Sequence, residues 1–140
     1  MSKAGPIVII EDDEDDREIF EKIVRELEIP NQIKGFPETN AAFDYLCATR
    51  DRPFIIFCDI NLPGKNGLDF KRMIDKDPEL RKKSIPFLFF STQANQQDVN
   101  EAYTQMIVQG FFKKGNDYNE MKAMLKTIFA YWECCKHPNA

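Results

Sequence analysis

The stretch Phe54–Gly67, FIIFCDINLPGKNG, decides the fold. An apolar run of strand length, Phe54 to Cys58, ends in the aspartate Asp59, and Pro63 and Gly67 punctuate the turn that follows. The chain repeats this arrangement, because the apolar run Ile7–Ile10, IVII, ends in Glu11-Asp12-Asp13. In an open parallel sheet such strand ends converge on one rim where the strand order reverses, and α/β proteins place their chemistry there. Three or four carboxylates would meet at that rim. Two unit charges about 4 Å apart repel by about 4 kcal/mol at an effective dielectric near 20, so the cluster needs a cation or protons. A hard divalent ion answers that need best.

Outward from these runs the pattern continues. Strands are expected near Gln32 to Phe36, Phe87 to Phe90 and Gly110 to Lys113, so that five short apolar strands alternate with five amphipathic helices. That alternation predicts an α/β fold of βαβ units with a parallel sheet covered on both faces. Ile19, Phe20, Ile23, Val24 and Leu27 form one helical stripe; Met121, Met124, Leu125, Ile128, Phe129 and Trp132 form another. Asp117 followed by Glu120 resembles a capping box opening the last helix. Asp98 to Met106 is a weaker helix with Val99, Ala102, Tyr103 and Met106 as its apolar side, and Lys76 to Ser84 reads as a charged surface loop. The Met and aromatic stripe and the run Phe87–Phe90 read as core, with no ligand assigned to them.

Composition narrows the function. The chain has 140 residues, 43% of them apolar, which predicts a single domain over residues 1–140 with its core in 6–132. Its apolar runs fall short of the ~20 residues that span a bilayer, and MSKAGP lacks the apolar stretch of a signal peptide, so a cytoplasmic protein without membrane contact is expected. Cys47, Cys58, Cys134 and Cys135 follow no ladder spacing and read as free thiols. A net charge of −4 without a basic run disfavours direct nucleic-acid binding, and no DNA-binding output domain is expected in the chain.

Asp12 and Asp59 supply hard oxygens from neighbouring strand ends, and the backbone carbonyl of Asn61 can add a third. That set suits Mg²⁺ (or Mn²⁺), which takes one or two carboxylates, keeps waters and leaves room for a phosphoryl group. An aspartate is a competent nucleophile for phosphoryl transfer once cations neutralise the equatorial oxygens. Lys114 ends the last strand and Ser91 ends the strand FLFF, so an ammonium and a hydroxyl reach the same rim. Helix capping by Asp13, Asp15 and Asp16 explains part of the acidic run. It does not explain why acid, acid, hydroxyl and lysine each end a different strand.

With these residues in place, the sequence resembles the receiver domain of two-component response regulators, of the stand-alone kind found among chemotaxis regulators, over residues 6 to 132. The resemblance implies a doubly wound, flavodoxin-like, five-stranded parallel sheet of order 2-1-3-4-5. It also implies roles: Glu11 and Asp12 as the acidic pair, with Asp12 a direct metal ligand and Glu11 acting through water; Asp59 as phosphoacceptor; Asn61 as the metal-binding carbonyl. Ser91 matches the switch hydroxyl, Phe111 the switch aromatic and Lys114 the invariant lysine. The chain departs from the family at Gly115, where proline usually follows the lysine, and at Glu11, where aspartate is usual.

The expected function follows from the resemblance. A histidine kinase or histidine phosphotransfer protein phosphorylates Asp59, and Ser91, Lys114 and Phe111 turn that event into a conformational change read by an unknown downstream protein. The readout surface is the face of the fourth helix, fifth strand and fifth helix, with Tyr103 and Met106 partly exposed; a second copy could dock there as a dimer. Beyond phosphoryl transfer to its own Asp59 and autodephosphorylation, no enzyme activity is expected. An aspartate-nucleophile phosphohydrolase would need a carboxylate where Asn61 stands, a flavodoxin-like cofactor binder would be repelled by Glu11 to Asp16, and an unphosphorylated interaction module would have no use for the full set. Cys134-Cys135-x-His137 could hold a soft metal, but it reads as part of a flexible terminus.

Overall fold

The computed structural model describes residues 4–62, 64–92, 95–106, 108–114 and 117–138. Along the chain, β1 (Ile7–Ile10) is followed by α1 (Glu14–Glu26), β2 (Ile33–Phe36) by α2 (Thr39–Ala48), and β3 (Ile55–Cys58) by α3 (Gly67–Lys76) and α4 (Pro78–Lys83). Then come β4 (Phe87–Ser91), α5 (Gln96–Gln105), β5 (Gly110–Lys113) and α6 (Tyr118–Cys134). The strands form one parallel sheet of order β2-β1-β3-β4-β5, as expected for the doubly wound α/β class. The register pairs Ile10 with Cys58, so the residues that follow, Glu11 and Asp59, leave the sheet side by side.

Strands buried on both faces explain the unbroken apolar runs. Ile7, Ile9, Ile55, Phe57, Leu88 and Phe90 face α1 and α6, where they meet Phe20, Ile23, Val24, Leu125, Ile128 and Trp132. Val8, Ile10, Ile56, Cys58, Phe87 and Phe89 face the opposite layer, where Leu46, Leu68, Phe70, Leu80 and Ala102 pack on them. Phe20, Phe57, Phe70, Phe87 and Phe89 are among the largest fully buried side chains, each stabilising the fold by about 1.5–3 kcal/mol relative to exposure. Helix starts are fixed locally. Asp13 accepts from the Asp16 N–H at 3.1 Å, Asn66 from Asp69 at 2.9 Å and Asp117 from Glu120 at 2.8 Å.

Four expectations need correction. The segment Lys76 to Ser84 is not a loop: Lys76 closes α3, and Pro78–Lys83 forms α4. Asp77 caps α4 through the N–H groups of Glu79 and Leu80, Pro78 occupies its first turn, Leu80 enters the core, and the Lys83 ammonium donates to the carbonyls of Leu46 (2.7 Å) and Thr49 (3.2 Å). The helix expected as fourth is therefore α5. Ile19 lies at the solvent edge of its stripe and is exposed. Met106 is buried, whereas Tyr103 is exposed, because Met106 turns into the layer that covers Phe89. His137 is buried rather than part of a flexible terminus: its Nε2 lies 2.8 Å from the Phe54 carbonyl oxygen, and its ring centroid is 5.7 Å from that of Phe54 and 5.9 Å from that of Trp132.

Candidate functional site

The candidate side chains Glu11, Asp59, Ser91 and Lys114 reach the rim because a strand ends at or just before each of them. The Glu11 N–H donates to the Phe36 carbonyl at 3.0 Å and the Asp59 N–H to Ile10 at 3.0 Å, so both carboxylates are held by the last rungs of the sheet. The Lys114 N–H donates to Ser91 at 2.8 Å in the same way. Glu11, Asp59, Ser91 and Lys114 are buried; Asp12 is exposed. Gly67 is the other backbone requirement: a Cβ there would lie 2.2 Å from the Asp59 carbonyl oxygen, so only glycine lets α3 start against this loop.

The carboxylates of Glu11, Asp12 and Asp59 offer oxygens that all lie within 4.8 Å of one another. The Lys114 ammonium is the cation set among them: it pairs with Glu11 Oε2, lies 3.1 Å from Asp59 Oδ2 and 3.7 Å from Asp16 Oδ2, and sits 4.9 Å from the centre of the Phe90 ring. Asp59 Oδ1 accepts the Asn61 N–H at 3.1 Å, and Glu11 Oε1 accepts the Asp13 N–H at 3.2 Å. The Asn61 amide donates to the Ser91 hydroxyl at 3.4 Å. Burial pushes the Glu11 carboxyl up to about 7; Lys114 pulls against that shift and Asp59 adds to it. For Lys114 burial acts downward, but Glu11 and Asp59 outweigh it and the ammonium is held above its usual range.

Six of the seven residues singled out from the sequence, Glu11, Asp12, Asp59, Asn61, Ser91 and Lys114, gather at this rim. Phe111 does not touch it: it lies in β5, half-buried, its ring 5.8 Å from Phe89. The Lys114–Gly115 junction cannot be placed, since Gly115 lies outside the described residues. Asp16 escaped the sequence reading, which took it only as a helix-start charge. The position carried a signal, because Asp16 lies in the first turn of α1, directly after the strand end that holds Glu11 and Asp12. A cleft of about 220 Å³ opens beside Glu11 and Lys114, walled by Ile19, Phe90, Tyr118 and Met121.

The carboxyl groups of Glu11, Asp12 and Asp59 outnumber the one ammonium set among them, and such an oxygen cluster is compatible with a divalent cation. Among the described residues no helix is long and apolar enough to cross a membrane.

Known proteins share this architecture. A model of the response regulator receiver domain family matches residues 7–126. The chemotaxis protein CheY-3 of Vibrio cholerae serotype O1 is 31% identical over 134 residues, covering 92% of this chain and 95% of its own length. Response regulator Rcp1 of Synechocystis sp. is 24% identical over 131 residues, 90% of this chain and 87% of that protein. Among solved structures, the phosphorylated cyanobacterial phytochrome response regulator RcpA superposes with a TM-score of 0.85 at 25% identity over 96% of this chain and 98% of the other. The Mn²⁺-bound form of Rcp1 does so with 0.82 at 23% identity over 96% and 99%. A sheet of order 2-1-3-4-5 with its acids gathered at one rim, matched along nearly its whole length by such relatives, belongs to the response regulator receiver domain family of two-component signalling.

Proposed function

We propose that residues 1–140 form a single receiver domain acting as a stand-alone cytoplasmic response regulator, which accepts a phosphoryl group on Asp59 from a histidine kinase or histidine phosphotransfer protein. The observation that carries this reading is the pairing of a buried Asp59 with Lys114 at 3.1 Å, on a rim where two further carboxylates need neutralising. Asp12, Asp59 and the Asn61 backbone carbonyl would hold Mg²⁺ or Mn²⁺, with Glu11 acting through water; the relative Rcp1 has a Mn²⁺-bound form. When bound, the ion would neutralise phosphoryl oxygens and orient the group.

The chain's own residues supply the rest. An Asp59 oxygen attacks phosphorus, the bond from phosphorus to the donor's imidazole nitrogen breaks with its electron pair leaving on that nitrogen, and an acyl phosphate forms. The Asn61 N–H steadies Oδ1 for this step. Lys114 exchanges part of its contact with Asp59 for a phosphoryl oxygen, and the Ser91 hydroxyl leaves Asn61 to donate to another. Those two bonds favour one conformation, and moving a switch from 1:99 to 99:1 takes about 5.5 kcal/mol of such preference. Phe111, already half-buried with its ring 5.8 Å from that of Phe89, turns further inward in response, and the changed face of α5, β5 and α6 docks a downstream protein or a second copy. Hydrolysis of the acyl phosphate resets the domain. Nothing in this scheme calls on nucleic acid or a membrane.

The test is intact-mass spectrometry after incubation with Mg²⁺ and a small acyl phosphate donor. Wild type gains one phosphoryl group and Asp59→Asn gains none; equal labelling of both overturns the reading.

A further inference from the structure

The helix α5 is attached to the molecule by a narrow apolar contact and by polar ties. Of its own residues only Ala102 is buried, with the cap residue Met106 beside it, so it has little apolar area to fix its place. Elements with so few buried contacts lie at the low-stability end of a fold and are the ones free to move. Two side chains tie α5 down. Glu101 pairs with Arg72 of α3, and the hydroxyl of Tyr103 accepts the backbone N–H of Phe111 in β5 at 3.0 Å.

The second tie is unusual in what it joins. β5 is an edge strand, paired only with β4, and the hydroxyl of Tyr103 satisfies a strand N–H that an edge would otherwise present to water. Tyr103 is 54% exposed, so little packing holds the side chain there and its hydroxyl bond fixes it. The same bond acts on Phe111, the half-buried aromatic three residues before Lys114. In this arrangement Lys114 is engaged by Glu11 and Asp59, and Ser91 by Asn61, which is the resting set of contacts at the rim. Ser91 ends β4 just before α5, so its departure toward a phosphoryl oxygen pulls on a helix whose far end is tied to β5.

We propose that Tyr103 is a positioning residue for the switch: its hydroxyl latches α5 to the Phe111 N–H in the resting conformation and so sets how much phosphoryl binding at Asp59 must overcome. The inference rests on the proposed function. It assigns Tyr103 an effect on affinity at a site its side chain does not touch.

The test compares wild type with Tyr103→Phe, which keeps the ring and removes the hydroxyl. Removing one net hydrogen bond from the resting state alone should tighten binding of beryllofluoride with Mg²⁺ by about twofold to tenfold, and should speed hydrogen exchange at the Phe111 amide. A merely structural Tyr103 would leave mimic affinity unchanged or weaken it, and either result overturns the latch even if exchange accelerates. Wild-type protein that ignores beryllofluoride sinks the proposed function together with this inference. Wild type that binds it while the variant binds equally well sinks the latch alone.

Discussion

The Lys114 ammonium stands between two acids from different strand ends, 3.1 Å from Asp59 Oδ2 and paired with Glu11 Oε2. One cation thus serves two buried carboxylates, and one of those acids is held well above the usual carboxylate range even so. That acid is Glu11, which burial pushes up to about 7.

Stability should follow this proton. The folded-state pKa of Glu11 lies above its ordinary 4.5, so the native state binds the proton more tightly than the unfolded chain does. The contribution is complete below pH 4.5 and fades as pH rises to about 7. Urea melts of metal-free protein across that window should show wild-type stability declining relative to Glu11→Gln, which cannot titrate. Parallel profiles for the two proteins would contradict the shift.

Metal binding should depend on Asp12. It is the exposed member of the carboxylate trio, and its loss leaves Glu11 committed to Lys114. Asp12→Ala should weaken Mg²⁺ by at least about tenfold in isothermal titration. Unchanged affinity would move the ligand to Asp13.

How far the sequence carried these conclusions depends on the range of the interaction. Strand ends were legible because both-face burial writes itself as unbroken runs such as IVII and FLFF, and the residue after each run lands on the rim by topology alone. The short helix α4 was hidden because Leu80 is its one buried residue and the rest of PELRKK looks like solvent-facing charge. Asp77-Pro78, a cap followed by a first-turn proline, was the overlooked start signal. His137 could not have been placed at all: its partner Phe54 is 83 residues away, and no periodicity reports such a contact. Lys71 is similar. It is buried, paired with Asp75 at 2.8 Å and set 4.9 Å over the Phe87 ring, yet its sequence position on α3 looks like any surface lysine.

Gly67→Ala should damage fold and site together. The new methyl would sit 2.2 Å from the Asp59 carbonyl oxygen and 3.1 Å from Ile60 Cα, both backbone atoms that cannot swing aside. Overpacking of this kind costs about 1–3 kcal/mol, read as a lower urea midpoint, and the displaced Asp59 loop should slow phosphoryl uptake. A variant with wild-type midpoint and uptake would mean the loop yields freely.

His137→Ala should separate stability from chemistry. Losing the contact with the buried Phe54 carbonyl should cost about 1–3 kcal/mol. Phe54 precedes β3 whereas Asp59 follows it, so phosphoryl uptake by the folded variant should match wild type. An unchanged urea midpoint would show that the tail contributes nothing to the fold.

Formation of the acyl phosphate on Asp59 is read directly by borohydride trapping. Wild-type protein is treated with Mg²⁺ and a small acyl phosphate donor, reduced with borohydride so that a phosphorylated aspartate becomes homoserine, then digested and sequenced by mass spectrometry. Homoserine is expected at position 59. Homoserine at position 12 or 13, or at none, would contradict it.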